Sequence, residues 1–239
     1  MNTLRNLMIM AAIMMLAACA SNDTANSDTV KQSEIYQSYS ITYDAGDKEL
    51  SASASYRFGG STGTTLALLK PSGVTFNGES MRQENNIFSG TYYSTNLQEG
   101  FKGSYVFVYT DGDEKTYTNK FEFAPIEITD YPKTAEKSTG IMVKWSLPLK
   151  NNERVYLYVE DNKNNSKYTA TEIVGSTSIE ITPDLLRDLY PGSVNIYLTR
   201  EVSGSLEEAT HLGGKYYLNY ISAKAGLTLN GEAPETAAK

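Results

Sequence analysis

The sequence predicts an all-β fold of two tandem antiparallel β-sandwiches, and three observations lead there. Short segments alternate apolar and polar residues with a period of two, the mark of half-buried strands. Turn pairs such as Gly59-Gly60 and Asn77-Gly78 punctuate these segments at short intervals. Tyrosine, which suits a pleated surface with one wet side, is in excess: 18 Tyr against 7 Phe and 1 Trp. Hydrophobic residues make up 40% of the chain, a globular composition.

The first sandwich is expected over residues 35–125. Its first strand, 38–44, closes at Ala45-Gly46-Asp47. In the second, 50–58, Ala52, Ala54, Tyr56 and Phe58 alternate with Ser51, Ser53, Ser55 and Arg57. Strands at 64–69 and 74–76 follow, separated by the turn Pro71-Ser72-Gly73. The stretch 86–94 reads as one more short strand. Residues 103–110 and 115–123 read as a pair joined by Asp111-Gly112-Asp113-Glu114.

The pattern restarts after Ala124-Pro125, and the second sandwich is expected over residues 126–230. Its strands are 126–130, 140–147, 154–160, 168–173, 178–181, 193–201 and 215–222. Val155, Leu157 and Val159 alternate with Tyr156 and Tyr158. One helical turn is expected at 183–189, with Thr182 as cap and Pro183 at the first position. Trp145 is the leading core residue. Residues 231–239 are small and polar and read as a disordered tail.

Val143-x-Trp145-x-x-Pro148 resembles the early strand and core Trp of fibronectin type III and immunoglobulin-like domains. Leu189-x-Pro191-Gly192 resembles the turn before that family's penultimate strand. The family usually places a Tyr three residues after the Gly, where this chain has Asn195.

At the other end, an apolar run of residues 7–17 follows Arg5 and closes at Leu16-Ala17-Ala18-Cys19. Charged start, apolar middle and small residues at the cut describe a signal peptide over residues 1–18. The run is too short to span a bilayer. Leu-Ala-Ala-Cys resembles the lipobox of bacterial lipoproteins, which implies acylation of Cys19, cleavage before it, and anchoring in the cell envelope. The absence of Asp after Cys19 implies, within that resemblance, the outer membrane. Residues 19–34 are polar and without period, and read as a disordered tether.

Composition narrows the function. The net charge of −7 and the scattered basic residues exclude a general attraction to nucleic acid. Cys19 is the one cysteine and His211 the one histidine, so no thiol–imidazole pair is left once Cys19 carries lipid. His211 sits in a loop-like stretch without a nucleophile elbow. No catalytic residue and no cofactor is expected. Asp111 and Asp113 make a weak metal candidate beside the ordinary hairpin reading. Strand alternation turns Tyr156, Tyr158, Tyr197 and Tyr217 outward on strands of one sheet, a candidate binding face. The expected role is a non-catalytic binding or assembly module for an envelope protein or a glycan, held to a membrane through Cys19. The alternatives are an envelope glycan hydrolase using carboxylates, or a structural spacer.

Overall fold

A computed structural model describes residues 23–234; residues 1–22, which hold the expected signal peptide and Cys19, and residues 235–239 lie outside them. The first half of the chain supplies β1 (Thr24–Asn26), β2 (Ile35–Asp44), β3 (Glu49–Phe58), β4 (Thr64–Ala67) and β5 (Gly73–Phe76). It continues with β6 (Glu79–Ser80), β7 (Arg82–Asn86), β8 (Gly90–Gln98), β9 (Ser104–Thr110) and β10 (Thr116–Glu122). The second half supplies β11 (Ile128–Asp130), β12 (Thr134–Glu136), β13 (Ile141–Trp145), β14 (Glu153–Asp161), β15 (Ser166–Thr171) and β16 (Ser178–Ile181). After α1 (Pro183–Leu186) come β17 (Gly192–Ser205), β18 (Gly214–Ile221) and β19 (Ala225–Asn230).

One large sheet crosses the molecule in the order β1-β4-β3-β2-β18-β17-β14-β15, with β8 also paired to β3 and β19 to β17. Its inner side follows the period of two: every second residue of β2, from Ile35 to Tyr43, is buried. Over the first half this side is covered by the sheet β10-β9-β5-β6. There Tyr39 stacks on Phe107 at 4.5 Å and Tyr56 lies 4.3 Å from Tyr109. The second half carries the sheet β11-β13-β16. Its Ile141, Val143 and Trp145 share a core with Val155, Leu157, Val159, Ile196, Leu198 and Leu218.

Both expected sandwiches are present, and the large sheet runs through both. The junction is β2 against β18, parallel and in register over eight residues from Gln37↔Gly214 to Asp44↔Ile221. The long β17 makes it possible: one edge pairs β14, while the other pairs β19 along residues 192–196 and then β18 along 199–205. Ser222 bridges the change of partner, its N–H donating to the Leu198 carbonyl and its Oγ accepting the Leu198 N–H.

Four local expectations are corrected. Residues 23–34, assigned to a disordered tether, are built into the first sandwich. β1 pairs parallel with β4, Thr24 hydrogen-bonds Thr91 at 2.8 Å, and Ser27 and Gln32 are buried. Polar side chains that complete backbone partners hold this segment, a signal that hydrophobic patterning does not carry. The stretch 86–94 is not one strand: a turn at 87–89 separates the end of β7 from β8, which holds residues 90–94. Asn86 Oδ1 accepts the Phe88 N–H, and Gly90 takes a positive φ of 74°. Thr182 precedes α1 without a side-chain cap bond. Of the expected tail, Gly231 packs beside Lys137 and the Glu232 carbonyl accepts its Nζ.

Candidate functional site

The outward residues of β14 and β17 face solvent on the second half of the large sheet. Because Tyr158 and Tyr197 are opposite each other in the β14–β17 register, their rings stack at 4.8 Å with planes 7° apart. Tyr156, two residues along β14, stacks on Tyr158 at 6.1 Å. Tyr168 of β15, opposite Tyr158 on its other side, completes a group of four at 5.6 Å from Tyr158 and 6.0 Å from Tyr156. Tyr168 is the outermost, 58% exposed.

Charged groups frame the rings. Arg154 Nη1 donates to the Tyr156 hydroxyl at 2.9 Å, and its other amine reaches Glu172. At the far side the Tyr197 hydroxyl donates to Glu160 Oε1 at 3.0 Å. Lys224 Nζ donates to Glu160 Oε2 at 2.6 Å and lies 5.2 Å from the Tyr197 ring centre. Burial and the Glu160 carboxylate together hold the Tyr197 phenol well above the ordinary tyrosine range.

The structure thus brings Tyr156, Tyr158 and Tyr197 together, whereas Tyr217 stands apart. Its side chain is outward and 42% exposed, but it stands opposite Ser203 and Ser40. That is six residues along β17 from Tyr197, about 20 Å at strand rise. Alternation assigns the face, but only register assigns position along it. Tyr168 was missed for the complementary reason: its place beside Tyr158 depends on the β14–β15 register.

The chemical candidates take structural roles. Asp111 is buried, with Oδ1 accepting the Asp113 and Lys115 N–H groups and Oδ2 accepting the Tyr117 hydroxyl. It organises the β9–β10 hairpin. Among the described residues no cluster of three or more His, Cys, Asp or Glu could hold a metal ion. The other buried carboxylates serve turns as well: Glu153 accepts the Lys150 N–H, and Asp161 accepts four donors around residues 163–165 and Tyr190. His211 is exposed in the β17–β18 connection. An open groove of about 700 Å³ lies between α1 and residues 231–234. Its Lys137 Nζ already donates to the carbonyls of Arg187, Leu189 and Glu232.

No family model matches the chain, and no curated protein matches it. Among solved structures it is similar to a tetra-tandem repeat from the extending region of a large adhesion protein, at 11% identity and a TM-score of 0.27. That alignment covers 81% of this chain and 49% of the other, so the chain spans about half of that relative's length. It is also similar to a cytokine receptor complex, at 10% identity and a TM-score of 0.30, covering 78% and 99%. A third is the SGBP-B protein of the Bacteroides ovatus mixed-linkage glucan utilization locus, solved with a mixed-linkage heptasaccharide, at 11% identity and a TM-score of 0.25, covering 82% and 60%. At these scores no functional argument passes from them to this chain.

Proposed function

We propose that the chain is an envelope lipoprotein of the outer membrane, anchored through Cys19, and that it acts as a non-catalytic module docking a protein partner on the tyrosine cluster. The carrying observation is the group Tyr156, Tyr158, Tyr168 and Tyr197 with Arg154 at its rim. Tyr and Arg are the side chains that dominate protein interfaces, since they bring large contact area with few rotatable bonds and a polar tip. Stacking within the group favours protein over glycan. A sugar ring packs on an open aromatic face, and the parallel Tyr158 and Tyr197 rings cover each other's faces. Edges and hydroxyls are left for a partner.

The test is a pull-down from detergent-solubilised membranes with the lipidated chain and with its Tyr156→Ala/Tyr168→Ala variant. A partner retained by the wild type should lose on the order of 30-fold in affinity, since a central tyrosine contributes about 2 kcal/mol. The thermal midpoint should hardly move, because Tyr168 is largely exposed. Equal recovery by both proteins would reject the docking face, and sugar binding lost in the same variant would replace the protein partner by a glycan. Cys19→Ser should release the protein from membranes, and unchanged partitioning would reject the anchor.

A further inference from the structure

We infer that the β7–β8 hairpin tip, Ile87-Phe88, inserts into the acyl layer of the membrane that holds the lipid anchor; the inference rests on the acylation of Cys19. Ile87 and Phe88 are adjacent and each 80% exposed, the most exposed large apolar side chains among the described residues. Two such residues side by side on a tight turn form a protruding apolar point that the fold leaves in water.

Strand direction places this point beside the anchor. β1 runs parallel to β4, β4 antiparallel to β3, and β3 antiparallel to β8. β1 and β8 therefore run the same way, and what precedes each lies at the same end of the sheet. Before β8 comes the tip; before β1 comes the chain that leads back to Cys19. The two starts are also in contact: Thr24 Oγ1 lies 2.8 Å from Thr91 Oγ1, and Thr65 Oγ1 accepts the Thr91 N–H while donating to the Asp23 carbonyl.

Distance completes the argument. Only residues 20–22 separate Cys19 from Asp23. Four Cα–Cα steps span at most about 14 Å, so an acylated Cys19 holds this end of the sheet against the bilayer surface. A tether of sixteen residues would have lifted it away. A second apolar contact is also what a lipid anchor gains from, because insertion of each group is intramolecular once the other is in place. Arg57 Nη2 donates to the Ser89 carbonyl and braces the base of the tip. The neighbouring β9–β10 hairpin, reached through the Gly112 N–H to Gln32 Oε1, carries Asp113 and Glu114 and limits insertion to the tip.

The experiment uses the lipidated chain in zwitterionic phosphatidylcholine vesicles, with tryptophan placed by Phe88→Trp or, on the other half of the sheet, by Ile173→Trp. Trp145 is buried and gives a constant background. Mass spectrometry of the N-terminal peptide reports the acyl groups on Cys19 in the same samples. The expected result is a blue-shifted Phe88→Trp emission that loses most of its intensity with brominated acyl chains, while Ile173→Trp stays water-like and unquenched. Acylated protein whose Phe88→Trp emission matches that of Ile173→Trp would overturn the insertion and leave the anchor standing. A Cys19 without acyl groups would overturn both.

Discussion

Asp161 shows how one carboxylate can join two elements. Burial raises its pKa, but hydrogen bonds from the Tyr190, Asn165 and Lys163 N–H groups and the Asn165 amide outweigh that and leave it below the ordinary 3.8. A depressed carboxylate stabilises the fold at pH values above its unfolded pKa, and that contribution is lost as pH falls through the folded value. Asp161→Ala should cost about 2 kcal/mol in urea unfolding near neutral pH, the price of leaving several buried donors unpaired. The cost should shrink in acid, and a deficit constant down to pH 2 would contradict this account. Arg200 is a second such residue. It is buried on β17, 3.9 Å from Glu153, and donates to the carbonyls of Pro125 at 3.2 Å and Leu147 at 2.5 Å. Arg200→Ala leaves Glu153 and both carbonyls without that partner, and should cost about 3–5 kcal/mol by the same measurement.

Among the elements, β2 and β18 have the largest consequence. Parallel strands need a long connection, and here residues 45–213 separate the pair. Gly214 starts β18 where a Cβ would collide with the Gln37 carbonyl oxygen. Gly214→Ala should therefore displace the start of β18 and cost about 1–3 kcal/mol, an overpacking penalty. Hydrogen exchange should rise first in β2 and β18, and a rise confined to the exposed β17–β18 connection would argue against the junction as the site of damage. The β7–β8 hairpin teaches a different lesson. Ile87-Phe88 is as apolar as any strand segment, yet the Asn86 side chain and the positive φ of Gly90 turn the chain there. Turn chemistry overrides hydrophobic content when two residues suffice to reverse direction.

At the scale of the molecule, the two sandwiches should unfold together. Besides β2–β18, Tyr43 lies 5.3 Å from Tyr220, Phe121 lies 4.9 Å from Tyr216, and Glu208 Oε2 accepts the Thr118 N–H at 2.7 Å. Calorimetry should give one transition with equal calorimetric and van't Hoff enthalpies, and two resolved transitions would mean the junction is weak. The tyrosine-rich core predicts an alkaline limit. Burial above all raises the phenols of Tyr39, Tyr56 and Tyr109 over their usual 10. Phenols that ionise more easily unfolded than folded favour unfolding above that pH, so their contribution is present below about pH 10 and lost as pH rises. The part of the phenolate absorbance that comes from these buried rings should appear as a steep step together with loss of strand signal, not ahead of it.

Much of this was legible residue by residue. Alternation located most strands and placed Val155, Leu157, Val159, Ile196 and Leu198 inside, and all five are fully buried. It also turned Tyr156, Tyr158 and Tyr197 outward, because a strand's two faces follow from a local period of two. Segments held by single polar contacts or by a partner strand far along the chain were not legible: β1, β6 and β12 carry too few apolar residues to announce themselves. The same limit explains the site. Facing is a property of one strand, whereas the meeting of Tyr158 with Tyr197 and Tyr168, and the distance of Tyr217, depend on register between strands. The merger of the two sandwiches through β2 and β18, and the contact of Thr24 with Thr91 at the start of β8, likewise arise only when strands distant in sequence pair, and no local pattern encodes which strands those are.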